Sequence, residues 1–538
     1  MKKTNIFKAI AICSAVIMTF TACGAGDQST SGNSKNDIAI NNNSQQYKYS
    51  LNQNDEEAET GTEMGDVQQE NPNTEEYSKI TENQFLSVKE NPRSTFSTDV
   101  DTASYTNVRR MINDGEEINP DAVRTEEFIN YFKYNYEQPK NDDSISITTE
   151  LSDCPWNDEA KLMLVGLQAK EAETKDIDSN IVFLIDVSGS MSSEDKLPLV
   201  QQAFSMLAEN LTENDRVSIV TYAGSDQVVL KGESGDNAGK ITDALNSLSA
   251  GGSTAGAAGI NTAYELAEKY FIKGGNNRVI LATDGDLNVG VSSEEGLKEL
   301  IEEKRDSGIF LSVLGFGTGN LKDNKLETLA DNGNGNYSYI DSLDEAQRVL
   351  VTEMNGTLYT IAKNTKIQIE FNPQNVDSYR LVGYENRLLD DEDFEDDTKD
   401  AGDVGSGQQV TALYEIIPTT SSGFKKSKNL KYQQETDTED IKETDGELLT
   451  VSVRYKDPDG DKSKLIDKAV KSSEYQSSNN MPENLKFASS AAEFAMLLRN
   501  SENVKGKITA DDIIDQAKTD NEGSSELISL IKKYISMD

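Results

Sequence analysis

Three short stretches carry side chains that could do chemistry together. IDVSGSM (185–191) sets a carboxylate and two hydroxyls at alternate positions, Asp186, Ser188 and Ser190, where the apolar run NIVFLID ends. GGSTAGAAGI (251–260) places Thr254 at the opening of a helical pattern, and TDGDLNVG (283–290) places Asp284 just past another apolar run. Two carboxylates and three hydroxyls form a hard oxygen set suited to Mg²⁺ or Mn²⁺, with positions left for water. Gly189, Gly251 and Gly252 let the backbone turn tightly around an ion.

Other chemistries fit these residues less well. A phosphate loop of the G-x-x-x-x-G-K-[ST] kind needs a Lys that does not occur until Lys196, which argues against nucleotide. None of the 538 residues is His, so neither a Ser-His-Asp nor a Cys-His nucleophile can be built. A haloacid-type Mg²⁺ phosphotransferase also begins from an Asp ending a leading strand, but it wants a second Asp two residues on as acid and base. Ser188 stands at that position, which leaves the enzyme reading remote. Each serine alone could cap a helix, but capping does not account for Thr254 and Asp284 joining them.

The elements that must hold these loops follow from periodicity. Apolar runs at 180–186, 216–222, 226–232, 277–285, 309–317 and 336–341 alternate with helical patterns such as Leu197, Val200, Phe204, Leu207 and Leu211. Strands apolar on both faces belong in a mostly parallel, doubly wound sheet covered by helices, an α/β arrangement that binds ligands outside its strands' carboxyl ends. After Ala362 the pattern becomes alternating: 366–371, 378–384, 408–417 and 447–457, with 143–170 earlier, suggest an antiparallel β-rich domain. Helical patterns return at 484–500 and 523–535, and DPDGD (457–461) reads as a hairpin turn, since Lys462 and Lys468 stand where a calcium loop needs Gly and Glu.

IDVSGSM, the Thr of GGST and the Asp of ATDGD resemble the metal-ion-dependent adhesion site of the von Willebrand factor type A domain. The resemblance implies that Ser188, Ser190 and Thr254 bind the ion through hydroxyl oxygens, that Asp186 and Asp284 act largely through water, and that a partner's carboxylate fills the open position. Mg²⁺ is the expected ion, with Mn²⁺ or Ca²⁺ as alternatives. STFSTDVDTASYTNVRR, CPWN, GGNNRVILATDGDLNVGVSS, GFGTGN and GYENRLL further resemble a group of bacterial lipoproteins that set this domain between an N-terminal module and a C-terminal extension.

The amino terminus has a basic start, an apolar core from Ala9 to Phe20, and then Thr21-Ala22-Cys23-Gly24, which resembles a lipoprotein signal with Cys23 as the lipidated residue. The expected division is a signal peptide at 1–22 and a disordered tether at 23–80. An N-terminal helical module at 81–142 follows, then a β-rich domain from 143–178 and 363–470, a type A domain at 179–362 and a C-terminal helical extension at 471–538. In the N-terminal module one helix is expected after Asp101 or Thr102 with Gly115 as its stop, and a second from Pro120 with Asn119 as cap; Asp99 and Asp101 could bind a cation but read rather as capping residues. Of three cysteines Cys154 alone would remain, as a buried hydrophobe, and the acidic run 390–397 reads as a solvated loop. A net charge of −42 argues against nucleic acid. The expectation is therefore a non-enzymatic lipoprotein, anchored in the cell membrane and facing the exterior of a bacterial cell, that binds a protein partner bearing an exposed Asp or Glu through a divalent cation. The alternative is an envelope scaffold in which the metal only fixes loop geometry.

Overall fold

The computed structural model describes residues 73–538 apart from 142, 172–176, 253–255, 286–293, 354–355, 357–358, 400, 422–445, 459, 461 and 538. The signal, residues 23–72 of the expected tether, and Thr254 lie outside the described residues, whereas 73–80, expected as disordered tether, are ordered, with Thr74 and Glu76 bonded to the 319–322 loop. Among the described residues no helix is long and apolar enough to cross a membrane.

Along the chain come β1 (Leu86–Ser87), β2 (Arg93–Ser97), α1 (Ala103–Asp114), α2 (Thr125–Asn130), β3 (Ile145–Asp153) and β4 (Lys161–Ala169). An alternating stretch follows: β5 (Ser179–Asp186), α3 (Leu197–Ala208), β6 (Arg216–Tyr222), β7 (Asp226–Ser234), α4 (Ala238–Asn246), α5 (Gly256–Lys269), β8 (Asn276–Thr283), α6 (Glu294–Asp306), β9 (Phe310–Phe316), α7 (Asp323–Asn332), β10 (Tyr337–Ile340) and α8 (Leu343–Gln347). The chain then runs through β11 (Thr360–Phe371), β12 (Val376–Val382), β13 (Leu388–Leu389), β14 (Val404–Gly405), β15 (Gln409–Pro418), β16 (Glu447–Lys456) and β17 (Ser463–Lys471). It closes with α9 (Glu483–Leu498), α10 (Ala510–Gln516) and α11 (Ser524–Ile535).

The middle stretch forms one six-stranded sheet in the order β10-β9-β8-β5-β6-β7, parallel except for β7. Every residue of β5 and β8 is buried, as strands covered on both faces require. Ile181, Phe183 and Ile185 face a core with α3, where Phe183 stacks on Phe204 with ring centroids 4.2 Å apart. Val182 and Leu184 face the opposite core with Ile260 and Tyr264 of α5. Strand order reverses between β5 and β8, so their carboxyl ends border the crevice where such sheets hold ligands.

The remaining strands make two antiparallel sheets, β1-β12-β15-β4-β3 and β13-β2-β11-β16-β17, with β14 on β11. Met163, Val165, Ala412 and Tyr414 of the first meet Ile367, Ile369, Val451 and Val453 of the second in a shared core. The alternate residues Leu162, Leu164 and Leu413 face outward, onto a helical layer of α1, α2, α9, α10 and α11. Phe128 of α2 meets Phe494 of α9, and Phe132 meets Phe487, at 6.2 and 5.0 Å between centroids.

Several expectations change. Residues 81–142 and 471–538 are not separate helical modules in space, because their apolar faces complete each other over one sheet. Residues 86–97 also supply strands, pairing with β12 and β11. The helix expected from Pro120 breaks into a 3-10 turn, Pro120–Ala122, and α2. The Ser104 hydroxyl enters that break, donating to Ala122 O at 2.7 Å and accepting from Arg124 N–H at 2.8 Å, so the backbone groups left by the interruption are satisfied. Asp99 and Asp101 cap no helix: Thr102 is the N-cap of α1 and makes no side-chain capping bond. The two aspartates instead bind Arg387, at 2.9 and 3.3 Å, and Asp101 accepts the N–H of Tyr337 on the edge strand β10 at 2.8 Å. The acidic run is partly anchored, with Phe394 buried and Asp397 bound to Arg454 at 3.2 Å.

Candidate metal centre

Asp186 is the last residue of β5 and Asp284 the first beyond β8, and they are 0% and 1% exposed. In register Ile185 faces Ala282, which sets Asp186 beside Thr283. The Thr283 hydroxyl donates to Asp186 Oδ2 at 3.2 Å and accepts the N–H of Gly285 at 3.2 Å. Ser188 N–H donates to Asp186 Oδ1 at 2.8 Å. Both carboxylate oxygens of Asp186 are thus oriented by neutral donors. Burial first, and the neighbouring charge of Asp284 among the lesser causes, push its carboxyl up to about 6.

The serines sit on the turn that follows. Met191 is fully buried in the α3-side core and pins the 3-10 turn Gly189–Ser192. The hydroxyls of Ser188 and Ser190 lie 3.0 Å apart in one hydrogen bond, which leaves lone pairs on each oxygen. Gly251 N–H donates to Val187 O at 2.8 Å and Gly189 N–H to Gly252 O at 3.1 Å, so the loop leading to Thr254 is stitched to the Asp186 loop. Gly252 has φ 87°, a conformation that favours glycine. The structure therefore brings together Asp186, Ser188, Ser190 and Asp284; Thr254 itself is outside the described residues.

Lys196, too far from the strand end for a phosphate loop, has a different part in the site. Its ammonium donates to Asp284 Oδ2 at 2.9 Å, although the residue is only 7% exposed. It precedes the first turn of α3, where the helix dipole disfavours a positive charge. Lys196 is pressed against Gly317, which has φ 70° and no room for a side chain. Gly285, beside Asp284, is packed just as closely against the backbone of residues 320–322. That loop is held from outside by the amino-terminal strap: Thr74 N–H donates to Gly319 O and Glu76 N–H to Leu321 O, both at 2.9 Å. Glu75 accepts from Gly319 N–H at 2.9 Å and pairs with Arg110 at 3.2 Å.

The donors fit a divalent cation. Two buried carboxylates against one ammonium leave a negative surplus, and the burial that raises Asp186 is a cost a bound cation would relieve. Among the described residues no cluster of three or more His, Cys, Asp or Glu could hold a metal. An ion here would rely on Asp186, Asp284 and hydroxyl oxygen, the ligand types Mg²⁺ accepts alongside water.

Comparison with known proteins agrees with the architecture. Residues 180–352 match the family profile described as von Willebrand factor type A domain, 71–164 the one described as von Willebrand factor, and 356–537 the one described as "Uncharacterized protein YfbK, C-terminal". The YfbK protein of Escherichia coli is 42% identical over 442 residues, spanning 80% of this chain and 75% of its own length. The sll0103 protein of Synechocystis is 30% identical over 201 residues, 36% of this chain and 45% of that one. Among solved structures, a von Willebrand factor type A protein from Catenulispora acidiphila covers 74% of this chain and 91% of its own, with 15% identity and a TM-score of 0.41. A chain with this sheet, these loops and this relative belongs to the von Willebrand factor type A domain proteins, in the bacterial family that includes YfbK.

Proposed function

We propose that the protein is a cell-envelope lipoprotein, anchored through Cys23 and facing the cell exterior, whose type A domain captures a protein partner through a divalent cation. Asp186, Ser188, Ser190, Thr254 and Asp284 hold the ion, Mg²⁺ by default, and the partner donates an Asp or Glu carboxylate to its open position. The observation that carries the reading is the pair of buried carboxylates at the carboxyl ends of β5 and β8, Asp186 oriented by neutral donors and Asp284 paired with Lys196, beside two hydroxyls. A cation with an open position supplies a charge-assisted contact to an incoming carboxylate. The surrounding surface supplies selectivity. The chain needs no catalytic group for this, and with no His it has none of the common acyl-transfer kind.

The test is partner capture from intact cells by crosslinking and mass spectrometry, comparing wild type, wild type with EDTA, and Asp186→Ala. Capture should be lost in both arms while the fold is retained. Capture that survives both would sink the adhesion reading and favour an envelope scaffold. Deleting the terminal segments would not separate the two readings, because α1, α2 and α9 to α11 share one core with the β4 sheet and their removal would unfold it.

A further inference from the structure

Lys196 and Asp284 form a buried ion pair, the side chains 8% and 1% exposed, at the edge of the proposed metal centre. Nothing in the helix asks for a cation there, since the amino end of α3 carries the positive pole of the helix dipole. Burial is a second cost to the ammonium. What offsets both is Asp284, 2.9 Å away, and the loop behind: Gly317 packs so closely on the lysine that a Cβ there would lie 2.8 Å from Lys196 Cδ. A divalent ion held by Asp186 and Asp284 would draw on the same carboxylate charge and would repel an ammonium a few ångströms away.

We propose that Lys196 is a built-in counter-ion, which holds Asp284 when the site is metal-free and is displaced when a divalent cation binds, so that it sets the cation concentration at which the site fills. This rests on the metal-site reading above. The lysine and the metal are two alternative occupants of one carboxylate, and the stem of Lys196, released from Asp284, shifts against Gly317 at the edge of the 317–322 loop.

The experiment uses the full-length chain and Lys196→Met, which keeps the apolar stem and removes the charge. In calorimetric titration with MgCl₂, the variant should bind at least about tenfold more tightly than wild type, because a unit positive charge near the ion is gone. Equal or weaker binding overturns the proposal. Independently, acetylation of Lys196 in the wild type by an amine-reactive reagent, followed by mass spectrometry, should be slow without Mg²⁺ and faster with saturating Mg²⁺, and Asp186→Ala should abolish the difference. A lysine of purely structural role would acetylate at the same rate in both conditions, which overturns the proposal even if Lys196→Met fails to fold. If the wild type binds no Mg²⁺ at all, the metal-site reading falls and this proposal with it; if it binds Mg²⁺ while both lysine readouts stay flat, this proposal alone falls.

Discussion

Along the seam where α1 and α2 meet α7 and α8, each arginine gathers several carboxylates. Arg109 reaches Asp341, Glu345 and Glu526 at 2.7, 2.9 and 2.7 Å. Arg124 reaches Glu127, Asp323 and Glu327, and Arg387 reaches Asp99, Asp101 and Asp331. At the carboxyl ends of β5 and β8 the same residue type is treated differently: Asp186 is held by an N–H and a hydroxyl, and Asp284 meets a lysine. The seam cancels its charge with guanidinium forks, whose planar geometry and fixed charge suit permanent pairing. The crevice meets its carboxylates with weaker and more local partners, an arrangement that suits the proposed reversible cation.

The contrast can be broken most severely at Arg124. Arg124→Met strands buried Glu127 and Asp323, and urea unfolding should register a loss of about 3 to 5 kcal/mol that Mg²⁺ does not restore. A smaller effect comes from an acid given neither arginine nor cation. Glu493 on α9, with Gln516 as its partner at 3.1 Å, is pushed by burial up to about 8 from the ordinary 4.5. A carboxyl raised in the folded state contributes stability that is fully present below about pH 4.5 and lost as pH climbs through about 8. Unfolding free energy should fall on the order of 1 to 3 kcal/mol across that window in wild type and stay flatter in Glu493→Gln. The smallest stability effect belongs to Ser190→Ala. Ser190 is exposed, so its removal should change stability by about 0.5 kcal/mol or less. On the proposed metal site, Mg²⁺ should raise the melting temperature of the wild type and Ser190→Ala should erase that rise. If Ser190→Ala keeps that rise, its hydroxyl is no part of the cation site.

The α/β sheet was legible because burial on both faces leaves an unbroken apolar run: β5, β6, β8 and β9 stand within about two residues of where the runs at 180–186, 216–222, 277–285 and 309–317 place them. The four described residues of the candidate site could be named because each sits at a strand end or on the turn that follows. What could not be read were contacts between distant segments. Phe96 pairs with Ile367 across some 270 positions, and no local pattern names that partner. Asp99 and Asp101 were read as caps because a helix follows, whereas their partner, Arg387, lies nearly 290 residues on. The part of Lys196 in the site was not legible for a related reason: it is set by Asp284 and Gly317, which periodicity around residue 196 does not mention.

The Thr74–Glu76 strap has a mechanical side. It lies beside Lys322 in a parallel bridge, and it is the first described anchorage of the folded unit along the chain. Tension applied to the amino-terminal chain would therefore load two backbone hydrogen bonds and the Glu75–Arg110 pair before it reached any core strand. The part that takes up the strain is the 317–322 loop, against which both Gly285 and Lys196 are packed. A pull from the amino-terminal side would thus be felt at Asp284, and at α1 through Arg110, sooner than in the sandwich.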